Sequence, residues 1–400
     1  MELIFLCGLF PNNREAEIYK YSKNIVHAGP NNLQWTFVRG LEKHFKRFTV
    51  ITTPLLTNYP NGYRKPFFWG SLFFINENIK GFCLGSIRLP VIGLISKFLN
   101  IFYLLLKKFF FKENVRILVY SVHIPYLFSS VIFKLLKPST KICLFVNDLP
   151  QFMSDNKNIF YLFFKSIEIF IFNQLQKKVD SYIFVTSQTN LLVNTKSKPW
   201  VLIEGVFDVY KPYMSDDNFE NTESKVILYS GTLDSRYGLQ QLIDAFLLIN
   251  NNNYELWVCG EGDLKNDLIE LSFINNKIKY FGFLNHQSVI ELQQKATVLV
   301  NPRKPFGEYT KYSFPIKTLE YLASGKPCIM YNLPGIPREY LNYLVIPEDE
   351  SVKALKSIIM EVCEWDSNRR IEFCKNAFEF IKNNKSSDVQ FSKLLQLFEY

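Results

Sequence analysis

Short apolar runs alternate with longer amphipathic stretches along the whole chain. In the first half this pattern predicts strands at residues 3–6, 48–52, 116–120, 141–146 and 181–185. The second half repeats it at residues 225–230, 255–259, 278–281, 297–300, 327–330 and 343–346. Strands that alternate with helices favour parallel sheets covered by helices on both faces. We therefore expect an α/β protein made of two doubly wound, Rossmann-like domains.

A polar, turn-rich segment separates the two halves. Residues 206–224 are predicted to be a linker between an N-terminal domain at 1–205 and a C-terminal domain at 225–385. Residues 386–400 predict a final helix that packs back on the N-terminal domain. Parallel sheets bind ligands at the carboxyl ends of their strands. Two such domains are thus expected to face a central cleft, with functional residues on the strand-to-helix loops.

Composition indicates a folded, intracellular protein. Hydrophobic residues make up 48% of the 400 positions and charged residues 21%, which gives no sign of global disorder. The seven cysteines are scattered without CxxC spacing, so we expect buried thiols in a reducing cytosol. The first residues combine an acidic Glu2 with a short apolar run, which indicates a first strand rather than a secretory signal.

The net charge of +9 admits three kinds of anionic partner: nucleic acid, anionic lipid or a phosphorylated substrate. Nucleic acid ranks last, because the positive charge is spread along the chain without interleaved aromatic residues. Residues 91–111 are almost continuously apolar but contain Lys97 and Asn100. This segment is interpreted as a buried crossover helix or as a peripheral helix facing a membrane, and both can hold. A true membrane span is the least favoured interpretation.

The most informative segment runs from residue 312 to residue 327. Ser313 can cap a helix, Pro315 suits its first turn, and Gly325 followed by Pro327 ends it. The free amides of such a helix start favour a phosphate, and Glu320 can then reach a ribose hydroxyl pair. The alternative is an ordinary capped helix with a glutamate that faces solvent.

Five segments in order resemble retaining GT-B glycosyltransferases of family 4, the glycosyl transferases group 1, of the bacterial surface-polysaccharide type. They read YSGTL at 229–233, CGEGD at 259–263, GFL at 282–284, VNPR at 300–303 and SFPIKTLEYLASGKPCI at 313–329. The resemblance implies a nucleotide diphosphate sugar as donor, bound by the C-terminal domain. It implies this donor-binding set: Gly8, Gly231, Thr232, Arg236, Arg303, Ser313, Phe314, Pro315, Ile316, Lys317 and Glu320.

Within that set, the resemblance gives each residue a role that competes with a plainer one. Gly231 would let the backbone approach the diphosphate, and Arg236 would supply a charged fork, unless it is simply a surface arginine. Arg303 would contact phosphate or sugar, unless it forms a local salt bridge. Phe314, Pro315 and Ile316 would offer backbone amides, Glu320 would bind the ribose, and Lys317 is either a helper or a solvated helix lysine.

The chain also departs from the family pattern. Tyr312 stands where many members have a first glutamate, Pro315 replaces a glycine, and Tyr237 replaces a lysine. Donor binding is still expected, whereas the sugar and the catalytic residues stay open. His123 follows a predicted strand, and the resemblance makes it a sugar contact and, with Glu320, a catalytic residue; the alternative is a structural histidine. Gly8 would admit the donor to the cleft or form a plain turn.

No metal or other cofactor is expected, because no DxD follows a strand and no His/Cys cluster has ligand spacing. The predicted function is retaining transfer of a sugar to a saccharide acceptor, lipid-linked at the cytoplasmic face of the inner membrane, in capsule, O-antigen or exopolysaccharide biosynthesis. One alternative is a nucleotide-sugar epimerase of the same architecture. Another is a non-catalytic protein that binds nucleotide sugars or glycans.

Overall fold

The computed structural model describes residues 2–23, 28–152, 158–194, 196–207 and 224–399. Nearly all of the linker predicted at 206–224 lies outside these residues. By their internal contacts the residues fall into two compact units. The first comprises Met1–Val206 together with Ser387–Tyr400, and the second comprises Phe207–Ser386.

The first unit is built on an eight-stranded sheet with the order β10-β9-β8-β7-β1-β2-β5-β4. Its pairs are parallel except β4 with β5, and β3 pairs separately with β6. The strands are β1 (Glu2–Cys7), β2 (Phe48–Thr52), β3 (Phe67–Phe68), β4 (Ser71–Phe74), β5 (Lys80–Cys83), β6 (Ser86–Ile87), β7 (Val115–Tyr120), β8 (Lys141–Val146), β9 (Ser181–Phe184) and β10 (Trp200–Leu202). The helices are α1 (Glu15–Tyr21), α2 (Ala28–His44), α3 (Pro90–Phe109), α4 (Ile124–Leu136), α5 (Ile159–Leu175) and α6 (Ser187–Val193).

The second unit contains a five-stranded, fully parallel sheet with the order β13-β12-β11-β14-β15. Its strands are β11 (Lys225–Ser230), β12 (Tyr254–Cys259), β13 (Ile278–Tyr280), β14 (Val298–Asn301) and β15 (Cys328–Met330). Its helices are α7 (Leu239–Leu247), α8 (Lys265–Ile274), α9 (His286–Lys295), α10 (Lys317–Ala323), α11 (Val352–Cys363) and α12 (Ser367–Lys385). Apolar side chains of the central strands form one buried core with α7 and α11.

The predicted α/β class with parallel sheets is confirmed, and the predicted strands coincide with observed ones except at 343–346. That prediction was wrong, because Val345 forms only an isolated bridge with Ile329 after a single 3₁₀ turn at Arg338–Tyr343. The short strands β3, β4, β5, β6 and β10 were not predicted.

The last helix, α13 (Ser387–Glu399), belongs to the first unit and packs on α2. Phe391 lies with its ring centroid 5.3 Å from that of Phe37. Gly40 makes room for it, since a Cβ at that position would lie 2.1 Å from the Phe391 ring. Lys43 and Asp388 add an ion pair of 3.1 Å. The chain therefore returns to its first unit after completing the second.

Helix α3 covers the apolar segment at 91–111. Of the helices described, it alone is long and apolar enough to cross a membrane by length and composition. Its inner face includes Lys97, Ile101 and Leu105, and it packs on α4. Ile95 and Leu99 are about half exposed on its outer face. The helix is thus a crossover helix with an apolar outer surface.

Candidate functional site

Helix α10 is fixed to the carboxyl end of β11 by Tyr321. The backbone N–H of Ser230 donates to Tyr321 Oη at 2.9 Å, and the Tyr321 hydroxyl donates to Ser230 O at 3.2 Å. Because Tyr321 is buried, these bonds hold without competition from water. The helix that carries Glu320 therefore lies at the edge of the sheet where ligands of parallel sheets bind.

The loops at this edge pack backbone against backbone. Gly260 has φ +144°, and a Cβ there would lie 1.7 Å from Gly231 O. Gly238 has φ +77°, and a Cβ there would lie 2.0 Å from Pro302 O. The backbone of Thr232 is fixed by a hydrogen bond, because its carbonyl accepts from Tyr229 Oη at 2.6 Å. Gly231 and Thr232 are thus set rigidly at the end of β11, as a close backbone approach to a ligand requires.

Arg303 is the least solvated cation of this edge. Its guanidinium lies 5.3 Å from the Tyr237 ring centroid and 4.9 Å from that of Tyr309, and Nη2 donates to Ser313 Oγ at 2.7 Å. Its Nε is buried without a hydrogen-bond partner. In the described part of the chain Arg303 forms no ion pair, so the predicted alternative of a local salt bridge is not realised. A buried cation with an open donor is suited to an anionic ligand.

Arg236 is placed differently. It is partly exposed and pairs with Asp234, with 2.6 Å between Nη2 and Oδ2. The hydrogen bond from Arg236 is the main reason that the pKa of Asp234 is lowered. The charge of Arg303 makes a smaller contribution to that shift in the same direction. Arg236 can therefore bind a phosphate only if its guanidinium contacts the phosphate and Asp234 at the same time.

The start of α10 differs from the prediction. The helix begins at Lys317, and Ile316 occupies the cap position without a side-chain cap bond. Ser313 was wrongly predicted to cap it: Ser313 Oγ instead donates to Tyr309 O at 3.1 Å while it accepts from Arg303. Pro315 precedes the helix and its carbonyl accepts from the N–H of Thr318 at 2.8 Å. Ser313 thus positions Arg303 rather than the helix.

Phe314 anchors the same segment in the core. It is buried, and its ring centroid lies 5.3 Å from that of Tyr340. Ile316, two residues later, is 40% exposed. The segment therefore turns from the core to the surface within two residues, which places the backbone of Pro315 and Ile316 at the edge of the unit.

Glu320 lies between two groups that carry or can carry positive charge. Lys317 Nζ is 2.7 Å from Oε2, and His286 Nδ1 is 3.8 Å from Oε1. Burial pushes the pKa of Glu320 up, but Lys317, His286 and Gln293 together lower it below its usual value. Glu320 also acts on Cys259 at the end of β12, whose pKa is raised to about 11 mainly by burial. The carboxylate is therefore ionised near the ends of β11 and β12.

His286 and Gln293 were missed by sequence reasoning. Both lie on α9, which begins after Asn285, whose side chain accepts from the N–H of Ser288. This cap predicts a helix, but no local signal indicates that the helix faces Glu320.

Gly8 and His123 belong to the first unit. Gly8 is buried, its N–H donates to Gln34 Oε1 at 2.7 Å, and a Cβ there would overlap Leu55. His123 precedes α4, with its ring centroid 4.4 Å from that of Tyr126. Burial, followed by the charges of Lys97 and Arg88, lowers the pKa of His123 well below 6.5, so the imidazole is neutral at neutral pH.

The chain has the GT-B fold, which consists of two α/β units built on mainly parallel sheets. The residues described above lie at the carboxyl edge of the second sheet. Sucrose-phosphate synthase from Thermosynechococcus elongatus has the same fold, with a TM-score of 0.71 and 15% identity over 100% of both chains. Residues 211–380 match the model of the family described as glycosyl transferases group 1, and the donor-site segments from Gly231 to Glu320 all lie inside the matched range.

Two curated proteins are similar in sequence to parts of this chain. An uncharacterized glycosyltransferase, MJ1607 of Methanocaldococcus jannaschii, is 25% identical over 185 residues, which cover 43% of this chain and 44% of the relative. The O-antigen chain mannosyltransferase B of Escherichia coli is 25% identical over 151 residues, 36% of this chain and 38% of the relative. The chain thus matches less than half the length of either relative.

Proposed function

We propose that the chain is a glycosyltransferase that moves a sugar from a nucleotide diphosphate sugar to a saccharide acceptor with retention of configuration. The observation that carries the proposal is that two groups lie at the same sheet edge, inside the range matched by the family model. One is the buried Arg303, whose Nε has no hydrogen-bond partner among the described residues, and the other is the ionised Glu320. The guanidinium of Arg303 can bind a phosphate, and the carboxylate of Glu320 can accept hydrogen bonds from a pair of ribose hydroxyls.

Arg303 and the backbone at Gly231 and Ile316 hold the diphosphate, and Glu320 accepts hydrogen bonds from the ribose. As the sugar–phosphate bond breaks, negative charge grows on the diphosphate and positive charge grows on the sugar. The fixed guanidinium stabilises the leaving group without reorganisation. The acceptor hydroxyl attacks from the face that the leaving group vacates, and the leaving phosphate takes its proton. The neutral His123 imidazole serves as a hydrogen-bond partner of the sugar.

In this mechanism the protein's own cations, Arg303 with help from Arg236, meet the phosphate charge, and neither a metal nor another cofactor takes part. Tyr312, at the end of a single turn, offers no carboxylate in the position where the family pattern has one. A covalent glycosyl-enzyme on that residue is therefore not part of the proposal.

We further propose that the acceptor is lipid-linked, and that the protein works as a peripheral protein at the cytoplasmic face of the inner membrane in surface-polysaccharide biosynthesis. Helices α3, α4 and α5 pack in sequence on one another. The outer side chains of α3 and α5 are strongly exposed although they are apolar, with Phe163 at 63% and Phe164 at 61%. Lys107 and Lys108 end α3 and are exposed, which matches an anionic leaflet.

Liposome flotation tests the membrane part. The protein should float with anionic vesicles and stay in solution with neutral ones at the same ionic strength. The double variant Phe163→Ser, Phe164→Ser should lose most of the binding, while Phe273→Ser, at a still more exposed phenylalanine on α8, should not. Equal flotation of both variants, or none by the wild type, contradicts a membrane contact through α5.

A panel of UDP, GDP, ADP and their sugars tests the donor site. One nucleotide diphosphate should raise the melting temperature, and the corresponding radiolabelled sugar nucleotide should release or transfer its sugar. Both effects should be lost in Glu320→Ala and kept in Glu372→Ala, an exposed glutamate on α12. Nucleotide binding without sugar release would favour a non-catalytic binding protein, and interconversion of sugar epimers would favour an epimerase.

A further inference from the structure

A group of basic side chains is buried in the first unit. Arg88, just after β6, is 1% exposed, and Lys97 on α3 is 7% exposed. Strand β6 is tied to α3 by the hydrogen bond from the N–H of Ile87 to Ser96 Oγ at 3.1 Å. After burial, the charge of Arg88 lowers the pKa of Lys97, and the charges of Lys97 and Arg88 lower the pKa of His123. We call Arg88, Lys97, His123 and the neighbouring Tyr63 the basic cluster.

The basic cluster lies at the carboxyl edge of the eight-stranded sheet. His123 follows β7, and its ring stacks at an angle on Tyr126. Tyr126 Oη donates to the carbonyl of Thr53, the first residue after β2, at 2.8 Å. Burial lowers the pKa of Arg88 to about 10, and Tyr126 and Tyr63 offset part of that shift. This edge is where parallel sheets bind ligands, so the cluster lies in a position that a substrate can use.

Several polar atoms of the cluster lack partners. Arg88 donates from Nη1 to Ser86 Oγ at 3.2 Å and from Nη2 to Thr57 O at 3.1 Å, but its Nε has no acceptor. Tyr63 Oη and His123 Nδ1 are also buried without a partner. Most buried polar atoms in proteins are hydrogen-bonded, so the unmet donor of Arg88 and the unmet hydroxyl of Tyr63 leave hydrogen-bonding capacity for an anionic ligand.

The cluster also lacks a counter-ion. Among the described residues no carboxylate forms an ion pair with Arg88 or Lys97. Glu17, which acts on Tyr63, is already occupied by Arg14 at 2.7 Å and Lys65 at 3.7 Å. Burial, with the charge of Arg88, lowers the pKa of Lys97 to about 7. Buried cations without a partner are costly, and an anion removes that cost.

We propose that the basic cluster binds a phosphate group, held by Arg88, Lys97 and Tyr63, and that this phosphate belongs to the acceptor. The second part rests on the proposed function, and the first does not. Nε of Arg88, Nζ of Lys97 and the Tyr63 hydroxyl offer three donors, which matches the oxygens and the charge of a phosphate better than a carboxylate. A prenyl phosphate lipid and a sugar phosphate both carry such a group.

The test uses the full chain and inorganic phosphate as the probe, with sodium chloride adjusted to keep ionic strength constant. Phosphate should raise the melting temperature of the wild type in a saturable way, both with and without UDP. Lys97→Met keeps the side-chain length but removes the charge, and it should weaken phosphate binding about 10-fold or more, as expected for a lost charge-assisted bond. Without phosphate this variant should be at least as stable as the wild type.

Two further variants separate binding from structure. Lys108→Met, on the exposed part of the same helix, should respond to phosphate like the wild type. Tyr63→Phe removes a hydroxyl that has no partner to lose, so it should weaken phosphate binding with no loss of stability. A destabilised Lys97→Met with unchanged phosphate affinity would show that the cluster is structural, and a wild type that ignores phosphate would overturn the proposal outright.

The source of the phosphate is resolved by comparing a short prenyl phosphate with a hexose 1-phosphate. Tighter binding of the first than of inorganic phosphate indicates a lipid-linked acceptor, and tighter binding of the second indicates a soluble one. If neither exceeds inorganic phosphate, the assignment to the acceptor is wrong although the anion site stands. A phosphate response in a protein that binds no nucleotide would refute the proposed function and leave this site intact.

Discussion

Replacing Arg303 by methionine tests the donor site most directly. Arg303 is 7% exposed, its guanidinium lies near the rings of Tyr237 and Tyr309, and its Nε has no hydrogen-bond partner among the described residues. Methionine fills a similar volume between the rings but carries no charge. The change therefore removes the phosphate contact while it leaves the local packing largely intact.

The expected magnitude follows from the contact that is lost. A hydrogen bond to a charged group contributes about 1.5–3 kcal/mol, so the affinity for the preferred nucleotide diphosphate should fall about 10- to 150-fold. The affinity for the nucleoside without phosphates should not change, because Arg303 has no role in binding base or ribose. The folded state loses the bond to Ser313 but no longer buries an unpaired charge, so its melting temperature should change little.

Isothermal titration calorimetry with the diphosphate and with the nucleoside measures both affinities. Arg338→Met, at an exposed position of the same unit, is the matched control and should bind like the wild type. An equal loss of affinity for diphosphate and nucleoside would mean that Arg303 supports the site only structurally. An unchanged affinity for the diphosphate would refute the role of Arg303 as a phosphate ligand.

Three further changes test the fold around the site. Tyr321→Phe leaves the amide of Ser230 unpaired and should lower the free energy of unfolding in urea by about 1–3 kcal/mol. Phe391→Ala empties a buried contact with Phe37 and should cost about 3–5 kcal/mol by the same measurement. Asp234→Asn should cost less than about 1 kcal/mol at pH 7, since its pair with Arg236 is partly exposed. Because the pKa of Asp234 is lowered in the folded state, its contribution is present above its ordinary pKa and should vanish as the pH falls through the lowered one.

The alternation of strands and helices was enough to predict the two α/β halves, because parallel strands buried on both faces leave a clear apolar signal. The same alternation could not predict β3 and β6, because each strand is only two residues long and forms by pairing with the other. Residues 343–346 have strand-like composition, yet only one of them pairs. Strand propensity depends on whether a neighbour is available, and the sequence does not show this.

Ser313 and Lys97 illustrate the same limit at single residues. The local pattern makes Ser313 a good cap, but Arg303, ten positions earlier, takes its hydroxyl. Lys97 interrupts an apolar run and favours a helix that exposes the lysine, yet the structure buries it beside Arg88. In both cases the neighbouring group is an arginine from another segment of the chain: Arg303 donates to Ser313, and Arg88 places a like charge near Lys97. Tertiary contacts of this kind outweigh local preferences, and they are what builds a site.

The residue at position 312 links the donor site to the mechanism. The amide of Tyr312 donates to Tyr309 O at 3.1 Å, and Tyr309 also carries the ring that covers Arg303. The turn at Glu308–Lys311 thus positions the guanidinium instead of presenting a carboxylate to the sugar. In the proposed reaction the positive sugar then has no carboxylate at position 312 beside it, so leaving-group stabilisation by Arg303 must carry more of the rate enhancement. It follows that Arg303→Met should reduce kcat more strongly than Tyr312→Phe does.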